Sequence, residues 1–220
     1  MVRKKNTRYD LGYSKLCGEF AKSNPDQMAC RSGAKYNQEN RQFTLTYLNK
    51  NYLISYPDGN ITLEDGGKKR LNQNEETMLF EHLVFLSYLL HSTNSPRTGK
   101  WVTYRELPGV KDPFDHYTAD GVKKLVEVFG NNGELFLKVC AELGAKPLPQ
   151  GDIGLEIMAF PNIPIALVLW LEDEELAASA NIFYDYSAIN EAHIDDLAAL
   201  APWLVVEELI RIAKQLDKRF

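Results

Sequence analysis

The sequence predicts an α+β fold, with a mainly antiparallel sheet packed against several helices. Two groups of strand-like segments, at about 42–64 and 152–186, are separated and flanked by segments with helical spacing. Strands grouped in this way, without strict alternation of strand and helix, are typical of α+β domains. No linker-like composition interrupts residues 9–220, so we expect a single domain there, preceded by a flexible tail at 1–8.

The first strand group is identified by alternation. Phe43, Leu45 and Tyr47 alternate with polar neighbours, and Leu53 to Tyr56 follows as a second strand. Pro57-Asp58-Gly59-Asn60 supplies strong turn chemistry before a third short strand. We therefore expect a meander of three strands.

The second strand group contains the predicted sheet core. Residues 153–160 alternate between apolar and polar or small side chains, and 181–186 forms another strand. Between them, Ile165 to Leu171 is continuously apolar, as expected of a central strand covered on both faces.

Helices are predicted wherever apolar residues recur at a spacing of three or four. These segments are at about 8–22, 25–30, 74–91, 114–129, 133–143 and 194–218. The apolar stripe at 74–91 is broad enough to be largely buried. Pro202 should kink the last helix or begin a second segment.

Composition excludes several classes of protein. The chain has 220 residues and a net charge of −5, which disfavours a nucleic-acid-binding protein because such proteins need a basic surface. Its three cysteines, Cys17, Cys30 and Cys140, are too few and too widely spaced for a disulfide framework. The longest apolar run is too short to span a membrane and the first residues resemble no secretory signal, so we expect a cytoplasmic protein.

Familiar catalytic and cofactor motifs are missing. Gly99-Lys100 is not a phosphate-binding loop, because Asn94 stands where the motif needs glycine and Trp101 where it needs a hydroxyl. No pair of cysteines has metal-binding spacing, and His82 and His91 face opposite sides of one helix. We therefore predict no metal and no cofactor.

The segment Gly99 to Gly109 is the best candidate for function. It places Trp101, Tyr104 and Arg105 close together after a long polar loop. A planar guanidinium beside aromatic rings suits the binding of a carboxylate, a phosphate or a flat ring. In the alternative interpretation, Arg105 forms an internal ion pair with a nearby acid and the segment is structural.

This segment also carries a resemblance to a known family. The helix end Ser87-Tyr88-Leu89-Leu90-His91, followed by Gly99-Lys100-Trp101-Val102-Thr103-Tyr104-Arg105-Glu106-Leu107-Pro108-Gly109, is similar to the signature of the bacterial and archaeal domain-of-unknown-function family DUF3786. The strand at 163–170 and the stretch from Asn181 through His193 to Leu200 resemble the same family.

The resemblance implies an association with anaerobic redox or one-carbon metabolism, and a redox protein as partner. Some members carry a cysteine-rich iron–sulfur segment at the amino terminus, whose cysteines this chain lacks. The positions that match the family are Trp101, Arg105, Glu106, Asp185 and His193.

Two hypotheses about function follow. In the first, the chain is a non-catalytic module that binds an unidentified protein or small molecule, with these five residues as candidate ligand-binding residues. In the alternative, it is an enzyme of unrecognised type, with Arg105 as the anion anchor and His193, Asp185 or Glu106 as the acid–base group.

Overall fold

The structure is a computed structural model that describes residues 8–65, 75–110 and 115–216. The predicted tail at 1–8 lies outside the described residues except for Arg8, which begins the first helix. Asn74, which could cap the predicted helix at 74–91, is also outside them.

The described helices follow the predicted order closely. They are α1 (Arg8–Lys22), α2 (Pro25–Ser32), α3 (Glu75–His91), α4 (Asp115–Phe129), α5 (Gly133–Glu142), α6 (Ile194–Ala199) and α7 (Val206–Leu216). Short 3₁₀ turns occupy Tyr104–Glu106 and Tyr186–Asn190.

The strands include two that the sequence did not reveal, at Lys35–Asn37 and Lys146–Leu148. In chain order they are β1 (Lys35–Asn37), β2 (Gln42–Tyr47), β3 (Lys50–Ser55), β4 (Ile61–Leu63), β5 (Trp101–Val102), β6 (Lys146–Leu148), β7 (Ile153–Phe160), β8 (Ile163–Trp170) and β9 (Ser179–Asp185). Both additional strands are three residues long and pair at a sheet edge, where alternation is too brief to be recognised.

The strands form two antiparallel sheets, which confirms the predicted α+β class. The first sheet has the order β1-β2-β3-β4, so the predicted meander is correct, with β1 added at one edge. The second sheet has the order β5-β9-β8-β7-β6. The two strand groups read from the sequence are therefore two separate sheets.

Helix α3 joins the two sheets through aromatic side chains. The Phe85 ring centroid lies 5.0 Å from those of Tyr47 and Tyr52 in the first sheet, and 5.2 Å from that of Phe160 in the second. Tyr88, one turn further along α3, stacks on Phe160 at 4.3 Å. Because aromatic rings bury large areas, this cluster holds both sheets in one core.

The second sheet has an inner face covered by helices. Helix α4 packs against β9 and α5 against β7. The side chain of Tyr184 lies on this inner face, because its hydroxyl donates a short hydrogen bond to the carbonyl of Leu197 in helix α6. Ile165 is the register partner of Tyr184 and is also buried, so it lies on the same face.

The opposite, outer face of the second sheet is partly open to solvent. Side chains alternate along a strand, so the outer face is formed by the residues between those of the inner face. Its main members are Trp101, Glu156, Met158, Ala166, Val168, Trp170, Asn181 and Phe183. Asn181 is exposed and Phe183 half-buried, whereas their neighbours on β8 are buried.

The C-terminal helix is interrupted at the predicted proline. Residues Leu200–Val205 form a π-helical turn between α6 and α7, with Pro202 inside it. Proline has no N–H to donate, so the regular helical ladder cannot continue through it. Pro202 also packs against Gly121 of α4, where an added Cβ would lie 2.6 Å from the Cα of Pro202.

Among the described residues, no helix is both long enough and apolar enough to cross a membrane.

Candidate functional site

The loop from Ser92 to Lys100, which connects α3 to β5, is held by two buried carboxylates. Glu191 is fully buried, and its carboxylate accepts hydrogen bonds from the backbone N–H groups of Thr93, Asn94 and Ser95 at 3.3, 3.2 and 2.7 Å. The Ser92 hydroxyl donates to it as well, at 2.5 Å. The first half of the loop is thus wrapped around one side chain.

Asp185 holds the second half of the loop in the same way. It is 0% exposed, and its carboxylate accepts from the N–H groups of Thr98 and Gly99 at 3.0 and 2.7 Å. The hydroxyls of Thr98 and Ser187 donate at 2.8 and 2.6 Å, and the N–H of Ser187 at 2.9 Å. Burial raises the pKa of Asp185, but these hydrogen bonds outweigh it and lower the pKa to about 2.

Both halves of the loop use left-handed backbone to turn N–H groups towards one point. Asn94 has φ of 58° and Gly99 has φ of 69°. Successive N–H groups arranged in this manner form a concave anion-binding nest. The Gly99 N–H is therefore part of an anion cradle whose anion is the carboxylate of Asp185.

The fixed loop places Arg97 over the outer face of the second sheet. Its guanidinium donates two hydrogen bonds to Glu156 on β7, at 3.0 and 2.7 Å. Its Cζ atom lies 6.0 Å from the centre of the Trp101 ring on β5. The Arg97 side chain is 44% exposed and that of Glu156 is 11% exposed, so the pair is open to solvent on the arginine side.

Ala166 and Phe183 complete this part of the outer face. Ala166 is the register partner of Glu156 on one side and of Phe183 on the other, so the three form a row across β7, β8 and β9. Trp101 is paired with Asp185, which puts Phe183 diagonally next to Trp101. We call Arg97, Trp101, Glu156, Ala166 and Phe183 the outer-face site.

Arg105 and Glu106 lie on the 3₁₀ turn that follows β5, and both are exposed. The Glu106 carboxylate accepts from the backbone N–H and the hydroxyl of Thr103, each at 2.8 Å. These hydrogen bonds lower the pKa of Glu106. The Glu106 carboxylate thus stabilises the 3₁₀ turn in which Glu106 itself lies.

His193 caps the start of α6. Its Nδ1 accepts a hydrogen bond from the backbone N–H of Asp195 at 3.3 Å, so the ring proton belongs on Nε2. The side chains of His193 and Asp195 are both more than half exposed.

A second polar cluster joins the end of α3 to α6. The Ser87 hydroxyl forms a short hydrogen bond to the Asp196 carboxylate and lies 3.1 Å from Nδ1 of His91. That Nδ1 is also 2.9 Å from the Ser87 carbonyl, which can only accept, so the histidine donates there. Ser87 consequently gives its proton to Asp196, unlike a serine nucleophile, which gives it to histidine.

Asp196 is the acid of this second cluster, and its pKa is perturbed in the structure. Burial raises the pKa of its carboxyl, while the Ser87 hydrogen bond and the nearby His193 and His91 act in the opposite direction. Among the described residues, however, no three histidine, cysteine or acidic side chains are grouped so that they could hold a metal ion.

The predicted site residues are therefore distributed over three places. Trp101 and Asp185 lie side by side in β5 and β9, but Asp185 is enclosed by the loop. Arg105 and Glu106 share the 3₁₀ turn, and His193 begins α6. Their joint role as a ligand-binding set stays a prediction.

Sequence reasoning missed the residues that define the outer-face site. In the sequence, Arg97 belongs to a polar loop and Glu156 is one polar residue in an alternating strand. Their pairing joins positions 59 residues apart, and no local pattern reveals such a contact. The one available signal was Arg97 itself, a cation close to Trp101 in sequence.

Comparison with known proteins gives one match. Residues 24–207 match the model of the family described as "Domain of unknown function (DUF3786)". The family suggested by the Gly99 to Gly109 segment is thereby confirmed. Neither the curated proteins nor the solved structures contain a match to the chain.

Proposed function

The chain belongs to this family, since the match covers most of its length, and we propose that it is a non-catalytic module that binds a ligand or partner at its outer-face site. The observation that carries this proposal is the exposed guanidinium of Arg97, held beside Trp101 by a loop that two buried carboxylates fix in place. Binding is tighter when the receiving groups are already ordered, because less conformational freedom is lost.

The state of the acid–base candidates favours binding over catalysis. Asp185 is fully buried with five hydrogen bonds, and Glu106 accepts two from Thr103. A catalytic acid or base has to reach the proton that it transfers, directly or through one water. These two carboxylates have structural partners at the positions that a substrate would need.

The proposal is tested by nuclear magnetic resonance with a panel of small acids, amines and neutral amides. We expect binders to shift the indole N–H signal of Trp101, assigned by its loss in Trp101→Phe. The signal of Trp203, which stacks on Tyr117 between the helices, provides the internal control. Chemical conversion of a panel member, abolished by Arg105→Ala without loss of folding, would overturn the proposal.

One observation favours the alternative of an enzyme. Arg105 and His193 are both exposed, so their functional atoms can reach a substrate as anion anchor and acid–base group. The test is turnover of a defined small molecule that falls at least tenfold in both Arg105→Ala and His193→Ala. Equal loss in Lys15→Ala, a remote exposed cation on α1, would count against this alternative.

The proposal also includes the cellular location and the metabolic context of the protein. A cytoplasmic location is inferred from the cysteines, which are unpaired in the structure. Association with anaerobic redox or one-carbon metabolism is inferred from the family resemblance. Pull-down from an anaerobic host extract with wild type, but not with Arg97→Gln, should recover a redox protein, and equal recovery by both would contradict that association.

A further inference from the structure

The guanidinium of Arg97 is occupied by a carboxylate from the chain itself. We propose that the outer-face site takes a planar carboxylate as its ligand, and that Glu156 is a built-in competitor which the ligand displaces. This inference rests on the proposed function and adds the chemical class of the ligand and its control by Glu156.

The geometry of the internal pair indicates the chemical class. Two parallel hydrogen bonds, at 3.0 and 2.7 Å, join the Arg97 guanidinium to the two oxygens of Glu156. This fork-to-fork pattern suits carboxylates and phosphates, and the acceptor that fills it in this structure is a planar carboxylate. Glu156 therefore occupies the position that the carboxylate of a ligand would take.

The neighbouring side chains favour a flat body attached to that carboxylate. The Trp101 ring lies 6.0 Å from the Arg97 Cζ atom, and Phe183 lies diagonally beside Trp101. Between Phe183 and Glu156 the row contains only the small side chain of Ala166. Ala166 is itself buried, so a flat ring would pack on the half-buried Trp101 and Phe183 with its edge directed to Arg97, and aromatic neighbours stabilise that arrangement.

Glu156 can be displaced because its alternative position is also favourable. The Arg97 side chain is 44% exposed and that of Glu156 is 11% exposed, so water reaches the pair from the arginine side and weakens it there. Lys146 is the register partner of Glu156 on the side away from Ala166, and it is exposed. A carboxylate released from Arg97 thus has a second cation directly beside it on β6.

Sodium benzoate and benzamide are the probes that test this inference, because they share a ring and differ in the carboxylate. Affinities are measured from the Trp101 indole signal. We expect Glu156→Gln to bind benzoate at least about fivefold more tightly than wild type, since it removes a competing ion pair that is open to solvent only on the arginine side. Benzamide affinity should not change, and Arg97→Gln should abolish benzoate binding.

Two control variants separate competition from a simple change of charge. Glu156→Asp keeps the charge but shortens the side chain by one methylene, which weakens the two hydrogen bonds to Arg97, so it too should bind benzoate more tightly. Glu172→Gln makes the same charge change as Glu156→Gln at an exposed position after β8, and it should behave as wild type. Thermal unfolding shows whether each variant is folded. If Glu156→Gln does not fold, Glu156→Asp replaces it as the test of competition.

Lys146 gives a readout that a purely structural role would not produce. Lys146→Gln should weaken benzoate binding when Glu156 is present, because the displaced carboxylate then loses its second partner. The same substitution should have no effect in the Glu156→Gln background. Equal effects in both backgrounds would contradict the displacement.

The outcomes also distinguish this inference from the proposed function. If wild type, Glu156→Gln and Glu156→Asp bind benzoate with the same affinity, Glu156 is not a competitor and the inference is wrong. If amines or neutral amides shift the Trp101 signal while benzoate does not, the ligand class is wrong and the binding module stands. If no member of the panel shifts the Trp101 signal, the proposed function fails as well.

Discussion

Replacing Asp185 by asparagine tests whether this carboxylate fixes the loop above the outer face. One oxygen, Oδ1, accepts the four hydrogen bonds from Thr98 and Ser187, and Oδ2 accepts the bond from Gly99. Asparagine can keep the first oxygen but puts an NH₂ group against the Gly99 N–H. It also removes the charge that strengthens the remaining bonds.

The expected cost follows from the pKa. A carboxyl whose pKa is lowered from 3.8 to about 2 in the folded state stabilises that state by about 2 kcal/mol at neutral pH. Asp185→Asn should therefore lower the free energy of unfolding by about 2–3 kcal/mol, measured by urea denaturation at pH 7. Because the folded pKa is the lower one, this contribution is complete well above pH 4 and is lost as the pH falls towards 2.

The pH dependence makes the reasoning refutable. Roughly half of the difference between wild type and Asp185→Asn should be gone at pH 3. The matched control is Asp173→Asn, because Asp173 also accepts backbone N–H groups, from Glu175 and Leu176, but on an exposed turn. A loss at pH 7 no larger than that of Asp173→Asn, or a loss that does not shrink at acid pH, would refute the assigned role.

Three further predictions concern stability. Gly121→Ala should lower the free energy of unfolding by about 2 kcal/mol or more, because the added Cβ would collide with Pro202. The control Gly18→Ala has open space around it and should raise the free energy of unfolding by up to about 1 kcal/mol. Equal changes for the two variants in chemical denaturation would contradict this. Asp196→Asn should stabilise the protein at pH 7, since burial raises the pKa of Asp196, and the gain should vanish as the pH falls below its folded pKa; a gain that persists at low pH would be inconsistent with that cause. Tyr104→Phe should leave the melting temperature unchanged or higher because the Tyr104 hydroxyl is buried without a hydrogen-bond partner among the described residues, and a clear decrease would show that this hydroxyl has one.

Much of the fold could be predicted because its signals are local. The alternation of Phe43, Leu45 and Tyr47 and the turn at Pro57-Asp58-Gly59-Asn60 are properties of neighbouring residues, and both predictions are confirmed. The separation into two sheets was not predicted. It depends on α3 lying between them, with Phe85 contacting both, and periodicity describes which residues are buried but not what they contact.

The site was harder to predict than the fold because its contacts are distant in sequence. The sequence predicts Asp185 as a candidate ligand-binding or acid–base residue, and that role stays a prediction. In the structure, the Asp185 carboxylate oxygens accept hydrogen bonds from Thr98, Gly99 and Ser187. Glu191 was not singled out at all, since an acid near the start of a helix has no local feature that distinguishes a buried anchor from a solvated residue.

The anchoring of the loop by Asp185 and Glu191 has a consequence for the order in which the chain folds. The N–H of Ser95 bonds to a residue 96 positions later, and that of Gly99 to one 86 positions later. Contacts over such separations form late, because a long segment has to be closed first. We expect the amides of Ser95 and Gly99 to gain protection in pulsed hydrogen exchange only after those of β8, so the loop over the outer face would become ordered after the sheet on which it lies.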